Sequence, residues 1–263
     1  MEEKITRIFL GEKCPLLNEK TLGSMFLHNL TGIEFGRRRS NELVFVMHGW
    51  LAGATHTEPL ARAIREELGY STLRLDLSMT FGSMEGVMAE CHKQLSGVNF
   101  GKDFLKVHFV AHSMGGLLAK IVLNEWDFPN ARSLVSLGTP FSGSKVLKSA
   151  GKVSRLVAYT FFYQKSSEII RHARKPLKRN KQVRIGSIAG RKPYKIEEVF
   201  SRANYELRVK LLGRKPNDGT VLVDSALGLG ELSDKKVVDL NHLELVTDPP
   251  IKDIGRFLRT GKF

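Results

Sequence analysis

Residues 104–118 read FLKVHFVAHSMGGLL, and this stretch decides the fold. The segment 104–111 is mostly apolar, which is typical of a strand buried on both faces. The apolar residues that follow Ser113 share a helical spacing: Leu117, Leu118, Ile121 and Val122. The stretch therefore predicts a buried strand that runs directly into a helix, with Ser113 in the turn between them.

A serine in such a turn has the setting of a nucleophile. The backbone there is strained, and the residues two before and two after the serine must be small for the chain to double back. Ala111 and Gly115 meet that requirement. The helix that begins after Ser113 also directs free N–H groups and its positive dipole end toward developing negative charge. On these residues alone, a buried serine in an ordinary strand–turn–helix unit is the alternative.

Short apolar runs alternate with helical patterns on both sides of this unit. We predict strands at 43–48, 73–77, 133–137, 183–188 and 236–240, and helices at 56–68, 82–97 and 250–258. Residues 5–10 and a segment near Ile33 are expected to form leading strands. The alternation indicates an α/β fold with a mostly parallel central sheet and helices on both faces, in a single domain over residues 1–263.

A histidine is needed to activate the serine, because a hydroxyl becomes a nucleophile only when a base accepts its proton. His242 directly follows the predicted last strand, where the carboxyl edge of the sheet would present it. His112 is next to Ser113 but should point away across the turn, and His48 at a strand end is expected to make a structural hydrogen bond. His242 is therefore the predicted base.

The base in turn needs a carboxylate that holds its tautomer and stabilises the imidazolium. Asp218, in the segment NDGT at 217–220, is the leading candidate. The same segment is also typical of a plain turn. Asp224 and Asp239 are the competing acids, and Asp239 is the weaker because a residue three before His242 in a strand would point into the sheet or the helix layer.

The chain order Ser113, Asp218, His242 is that of the α/β-hydrolases, and the chain resembles bacterial lipases and esterases of this fold. The segments that carry the resemblance follow the family order: VMHGW at 46–50, AHSMGG at 111–116, LGTPFSGS at 137–144, NDGTV at 217–221 and NH at 241–242. Ala111 replaces the commoner glycine, and Phe141 stands where a histidine is frequent. Neither change puts catalysis in doubt.

The resemblance implies an α/β-hydrolase fold with a cap insertion, here the basic segment 143–182. It also implies an oxyanion hole formed by the backbone N–H groups of Trp50 and Met114. The activity it implies is hydrolysis of carboxylic esters of acyl chains through an acyl-enzyme intermediate. Phospholipase, acyl thioesterase and acyltransferase reactions use the same residues, and a non-catalytic binding protein of the same fold is a further alternative.

The composition is that of a globular protein without a resident cofactor. The chain has 263 residues, 42% hydrophobic and 26% charged, which is enough to bury a core without disulfide or metal staples. Cys14 and Cys91 can form at most one bridge and are expected to remain thiols. No cysteine or histidine pair has metal-ligand spacing, and no dinucleotide fingerprint is present, so we expect neither metal nor cofactor.

The net charge of +14 is concentrated in one region. Residues 143–192 contain 14 Lys and Arg but one acid, Glu168, and the rest of the chain is nearly neutral. Nucleic acid is not an expected partner, because no helix-turn-helix, zinc-finger or RNA-binding signature accompanies the charge. A cap that combines these cations with the aromatic residues of 156–163 is expected to contact an anionic membrane or an anionic substrate. A solvated basic loop is the alternative.

The expected location is the cytoplasm, with the cap allowing peripheral contact with a membrane. The N-terminal residues 1–7 carry two acids and no apolar stretch of the kind found in a secretory signal. The longest apolar run, LVFVM at 43–47, is far shorter than the roughly 20 residues of a membrane-spanning helix.

Overall fold

The computed structural model describes residues 33–36, 40–49, 53–77, 84–95, 104–126, 128, 130–146, 167–177, 182–198 and 202–263. Seven strands lie in these ranges: β1 (Ile33–Glu34), β2 (Glu42–Met47), β3 (Ser71–Leu75), β4 (Lys106–His112), β5 (Ala131–Leu137), β6 (Arg184–Gly190) and β7 (Asp234–Val238). They form one sheet in the order β1-β3-β2-β4-β5-β6-β7. β1 is antiparallel to β3, and the other neighbouring pairs are parallel. The predicted mostly parallel sheet is confirmed.

Helices connect these strands. They are α1 (Glu58–Ala63), α2 (Met84–Leu95), α3 (Met114–Glu125), α4 (167–173), α5 (Arg202–Leu212), α6 (Val223–Ala226), α7 (Glu244–Thr247) and α8 (Ile251–Thr260). Short 3-10 turns occupy Ala54–Thr57 and Ile196–Glu198, and a π-type turn, Ile64–Leu68, continues α1. No helix in the described ranges is long and apolar enough to cross a membrane.

The core consists of two apolar layers, one on each face of the sheet. In β2, Leu43, Phe45 and Met47 join the layer that contains residues of α2 and α3. The alternate residues Val44 and Val46 join the layer that contains residues of α1 and α8. All five side chains are fully buried, which explains why this strand is a continuous apolar run rather than an alternating one. Helices therefore cover both faces, as predicted.

Two predicted elements differ in their details. The single helix expected at 56–68 consists of a 3-10 turn, α1 and the π-type turn, with Pro59 at the start of α1. The last strand, expected at 236–240, is β7 at Asp234–Val238. β7 pairs with β6 alone, and its residues alternate between partly buried and exposed. The apolar residues of such a strand indicate its presence, but they do not show where it begins and ends. The strand expected at 5–10 lies outside the described residues.

Helix α5 was not expected from the sequence. Leu212 is its one buried residue among those described, and its other side chains are exposed or partly buried. A helix that packs so little apolar surface carries no periodic apolar stripe for a sequence pattern to detect.

The predicted cap, 143–182, lies mostly outside the described residues. Its described part includes α4, which contributes Ile169 and Ala173 to the core layer next to α3. Lys120 of α3 fixes the end of this segment: its buried ammonium donates to the carbonyl of Lys175 at 2.7 Å and pairs with Glu231 at 2.5 Å. The end of the segment is thus held on the body of the protein.

We expect Gly116→Ala to destabilise the protein, because helix α3 packs tightly against the turn after β5. A Cβ at residue 116 would lie 2.0 Å from Thr139 Oγ1, so one of the two elements would have to shift. Overpacking of this kind costs about 1–3 kcal/mol, more than the roughly 1 kcal/mol that alanine contributes over glycine in a helix. The free energy of unfolding in urea measures the net loss.

Gly230→Ala is the matched control, since a Cβ there meets nothing within 4 Å. Its unfolding free energy should stay within about 0.5 kcal/mol of the parent. Adding Thr139→Ala to Gly116→Ala should restore part of the lost stability, because it removes the hydroxyl and methyl that clash. Equal stability of the two glycine variants would contradict the packing argument.

Candidate active site

Ser113 lies at the junction of β4 and α3 in a strained backbone conformation. Its φ of 53° is the only positive φ among the described non-glycine residues, and its ψ is −125°. Such a conformation costs about 1–3 kcal/mol and persists only where the surroundings enforce it. Here the N–H of Ser113 donates to the carbonyl of Leu137 at 2.8 Å, which ties the turn to β5. The sharp turn predicted at Ser113 is present.

Small residues allow this turn to pack against the end of β2. A Cβ at Gly115 would lie 2.4 Å from the carbonyl oxygen of His48 and 2.8 Å from that of Met47. Both are backbone atoms, one in the last residue of the central strand β2 and one in the residue directly after it, so neither can move aside. The requirement for a small residue two positions after the serine is therefore a requirement of the contact between β2 and α3.

The structure brings Ser113, His242 and Asp218 together. His242 Nε2 lies 3.0 Å from Ser113 Oγ, and His242 Nδ1 lies 2.7 Å from Asp218 Oδ2. An ionised carboxylate can only accept, so Nδ1 carries the ring proton and Nε2 presents a lone pair to the serine hydroxyl. This is the arrangement in which Ser113 donates its proton to His242 while Asp218 holds the tautomer.

The segment 217–220 forms a tight turn and carries Asp218, the predicted acid. Asp218 Oδ1 accepts from the N–H groups of Thr220, at 2.9 Å, and Val221, at 2.7 Å. This leaves Oδ2 for His242, in a side chain that is 1% exposed. The turn is therefore compatible with the predicted role of Asp218 as the acid, because the two carboxylate oxygens contact different partners.

The two competing acids, Asp224 and Asp239, lie at exposed positions. Asp239 is an exposed residue, and its carboxylate lies 3.7 Å from Arg191 Nε. Asp224 is exposed in the first turn of α6. The structure therefore places Asp218, and neither competitor, against His242.

A reciprocal set of hydrogen bonds fixes the loop that carries His242. Asn241 Oδ1 accepts from the N–H groups of Leu243, at 3.0 Å, and Glu244, at 2.9 Å. Glu244 Oε2 in turn accepts from the N–H of Asn241 at 2.8 Å, as in a capping box. Residues 217–221, which carry Asp218, are called the acid loop below. The backbone of His242 bonds directly to this loop, since the N–H of His242 donates to the carbonyl of Asp218 at 2.8 Å.

Tyr194 and Arg208 support the acid loop, and sequence analysis missed both. Arg208 Nη1 donates to the carbonyl of Gly219 at 2.6 Å and to Thr220 Oγ1 at 3.0 Å. The guanidinium carbon lies 5.3 Å from the centre of the Tyr194 ring. Burial and the negative charge of Asp218 raise the pKa of Tyr194 to about 12. Neither residue belongs to a recognisable motif, so only their spatial proximity to the loop reveals them.

His112 contacts the predicted base rather than the serine. Its Nε2–H donates to the carbonyl of His242 at 2.9 Å, and the two imidazole rings lie 4.6 Å apart. Burial, followed by repulsion from His242, lowers the pKa of His112 well below its usual value. His112 is therefore a neutral donor that holds the backbone of the base.

His48 has the structural role that the sequence predicted. Its Nδ1–H donates to the carbonyl of Gly49 at 2.8 Å, and its Nε2 accepts from the N–H of Leu77 at 3.0 Å. Burial lowers the pKa of His48, so this imidazole also stays neutral. This hydrogen bond lies at the carboxyl end of β2.

One of the two predicted oxyanion donors can be placed. Met114 is the first residue of α3, so its N–H belongs to the helix turn that lacks intrahelical acceptors. Trp50, the other predicted donor, lies outside the described residues. Among the described residues, no group of three His, Cys, Asp or Glu side chains is arranged to hold a metal ion.

Comparison with known proteins identifies the fold. No protein-family model matches this chain, and no curated protein matches it. The mature form of the lipase BlEst2 from Bacillus licheniformis is similar in structure, with a TM-score of 0.64 and 18% identity over 86% of this chain and 93% of that chain. The metagenomic carboxyl esterase MGS0156 matches with a TM-score of 0.54 and 18% identity, over 90% of this chain and 69% of that chain.

A structure from the metagenome-derived lipolytic enzymes LipS and LipT also matches, with a TM-score of 0.56 and 12% identity over 87% of this chain and 97% of that chain. The chain thus has an α/β-hydrolase fold and resembles bacterial lipases and esterases. At these identities the likeness establishes the architecture, and the chemistry has to be argued from the site.

We expect His112→Phe to slow the reaction of Ser113 with a fluorophosphonate. Phenylalanine keeps the ring but removes the donor to the carbonyl of His242, so the base loses one restraint on its position. A displacement of about 1 Å at a catalytic group can lower its rate about 100-fold, so we expect a loss of roughly 10- to 100-fold in the second-order labelling rate.

His92→Phe is the matched control, because His92 is exposed on α2. It should label at the parental rate. Parental labelling by a folded His112→Phe protein would show that the hydrogen bond to His242 does not position the base.

Proposed function

We propose that this protein is a serine hydrolase that cleaves carboxylic esters of acyl chains, of the lipase or esterase type. The observation that carries the proposal is the hydrogen-bonded series from Ser113 through His242 to Asp218, with distances of 3.0 and 2.7 Å. The structural similarity to lipases and esterases supports it.

In the acylation step, Ser113 Oγ attacks the ester carbonyl while its proton passes to His242 Nε2. Asp218 stabilises the imidazolium through Nδ1. The carbonyl oxygen becomes an oxyanion, for which the N–H of Met114 is a donor at the start of α3, together with the N–H of Trp50 that the family resemblance implies. His242 then gives its proton to the departing alcohol, leaving an acyl group on Ser113.

In the deacylation step, water attacks the acyl-enzyme and His242 takes its proton. An alcohol in place of water would give acyl transfer, and a thioester or a phospholipid ester would react at the same three residues. We propose simple hydrolysis because it requires only water beyond the residues described. A non-catalytic role would leave Ser113 unreactive toward a fluorophosphonate, which makes labelling a direct test of that alternative.

The neutral state of His112 supports this chemistry. Its ring lies 4.6 Å from the ring of His242, so a positive charge there would oppose imidazolium formation. At an effective dielectric constant of about 20, two unit charges 4–5 Å apart repel by about 3–4 kcal/mol. Because burial keeps the pKa of His112 low, this repulsion is absent when His242 accepts its proton.

We also propose that the basic segment 143–182 contacts an anionic surface, either a membrane or an anionic acyl substrate, in a protein located in the cytoplasm. The charge of the segment supports this, together with Arg171 and Arg174, which are exposed on and just after α4. Each Lys or Arg near an anionic membrane contributes about 1 kcal/mol of attraction.

Ser113→Ala and His242→Ala should each abolish ester hydrolysis in a folded protein. Loss of a nucleophile or base of this kind lowers turnover by about a millionfold. Hydrolysis of p-nitrophenyl esters and labelling with a fluorophosphonate measure the two effects. Full activity of a purified Ser113→Ala protein would overturn the proposed function.

Asp218→Asn should lower turnover by about ten-thousandfold, because asparagine favours the wrong tautomer of His242. Asp239→Asn is the matched control and should retain parental turnover, since Asp239 is exposed and its carboxylate faces Arg191 at a distance of 3.7 Å. Normal turnover of Asp218→Asn together with a loss in Asp239→Asn would assign the acid to the other residue.

The fraction of protein that sediments with liposomes should increase with their content of anionic lipid and decrease with salt, because salt screens charges beyond roughly 8 Å at physiological strength. Arg171→Ala with Arg174→Ala should weaken sedimentation. Arg202→Ala with Lys210→Ala, two exposed cations of α5, is the control and should not. Sedimentation that is independent of lipid charge and salt would contradict the proposed contact.

A further inference from the structure

A cavity lies beside the acid loop. Its volume is about 420 Å³, within the range of small-molecule sites. Helix α5 and the turn after it form one side, and the segment that follows β6 forms the other, through Arg191, Pro193 and Tyr194. Asn217 and Gly219 line it, but none of the three residues of the proposed triad does. The cavity is therefore separate from the site of ester cleavage.

The described residues that line this cavity include four cations and no acid. The cations are Arg191, Arg208, Arg214 and Lys215. Arg214 and Lys215 are exposed and form no ion pair within the described part of the chain. Arg191 has only the long 3.7 Å contact with Asp239. Within the described part of the chain, carboxylates thus leave the charges of Arg191, Arg214 and Lys215 largely uncompensated, whereas Arg208 interacts with the charge of Asp218.

The remaining lining is aromatic and apolar. Tyr194 and Tyr205 contribute rings, and Val209 and Leu212 contribute aliphatic surface from α5. Val209 is 52% exposed, so part of its apolar surface has no protein partner and can contact a ligand. A ligand with an apolar body and one negatively charged group therefore matches this lining better than an inorganic ion does.

We propose that this cavity binds a small phosphomonoester with an apolar or aromatic body. Guanidinium groups present planar pairs of N–H donors that match phosphate oxygens, and Arg191 and Arg214 supply two of them around one space. Arg208 adds positive charge, although its Nε and Nη1 already donate to Asn204, Gly219 and Thr220. The rings and aliphatic side chains would cover the body of the ligand. Binding requires no hydrolytic activity, so this inference stands apart from the proposed function.

The position of Arg208 links the cavity to the acid loop. The same guanidinium that lines the cavity donates to the carbonyl of Gly219 and to Thr220 Oγ1, the residues that follow Asp218. A ligand that contacts Arg208 is therefore in contact with a residue that supports the turn around the acid. The site is adjacent to the loop, not at a remote surface.

Isothermal titration calorimetry with phenyl phosphate tests the proposal. Saturable binding is expected, with a dissociation constant below about 1 mM and weaker affinity at high salt. Inorganic phosphate should bind more weakly because it lacks the ring, and phenol should bind more weakly because it lacks the charge. Phenol binding as tight as that of phenyl phosphate, or no saturable binding of phenyl phosphate, would overturn the proposal.

Matched variants place the binding in this cavity. Arg214→Ala with Lys215→Ala should weaken phenyl phosphate at least about tenfold, since each substitution removes a charge-assisted contact. Lys210→Ala, an exposed cation of α5 that does not line the cavity, should bind like the parent. Equal affinity of the double variant and the parent would overturn the assignment, and circular dichroism checks that both proteins are folded.

Two further experiments test whether the phosphate belongs to a membrane lipid and whether phenyl phosphate binds in the active site instead. If soluble phenyl phosphate does not bind, and Arg214→Ala with Lys215→Ala weakens binding to vesicles with phosphatidic acid, the cavity cations form a membrane contact and the proposal fails. Phenyl phosphate should bind Ser113→Ala with parental affinity, because the serine does not line the cavity. Loss of binding in that variant would place phenyl phosphate in the active site and would overturn the proposal of a separate site.

Discussion

Ser113 is held at a φ of 53° because β4, α3 and the end of β2 meet at this residue. The strain of this conformation, about 1–3 kcal/mol, is tolerated because Ser113 N–H bonds to β5 and the small residue at 115 fits against the backbone of β2. The turn is thus stabilised by the central strands, the most deeply buried part of the sheet. Its consequence is an Oγ that projects at the carboxyl edge of the sheet, at a helix N-terminus.

Parallel pairing brings the other two residues to the same edge. β4, β5, β6 and β7 run in one direction, so the loops that follow them converge. His242 comes from the loop after β7, and Asp218 comes from the long connection between β6 and β7. The backbone hydrogen bond from His242 N–H to the carbonyl of Asp218 then joins the two loops, so His242 and Asp218 are oriented as one unit. His112 connects that unit back to β4 through the carbonyl of His242.

The positive charge of the chain has two locations with different physical character. The segment 143–182 carries many cations in a short length of sequence, which suits a broad anionic surface. The cavity beside α5 gathers four cations from separate elements around a space of about 420 Å³, which suits one small anion. Local sequence composition reveals the first location. The second arises from the way α5 packs beside the segment after β6.

The sequence by itself determined the sheet and the helix layers, and it predicted the three residues that the structure brings together: Ser113, Asp218 and His242. Buried strands such as β2 are continuous apolar runs, and the turn at Ser113 has local steric requirements that a short motif records. Asp218 and His242 could be named because each follows strand signals in the family order.

Tertiary structure alone decided which oxygen of Asp218 faces His242, that His112 holds the backbone of His242, and that Arg208 and Tyr194 hold the acid loop. Some of these contacts join residues 24 to 130 positions apart in the sequence. Arg208 lies on a helix without an apolar stripe, so no periodic pattern points to it. Their physical basis is the geometry of packed elements, to which no local pattern of residues corresponds.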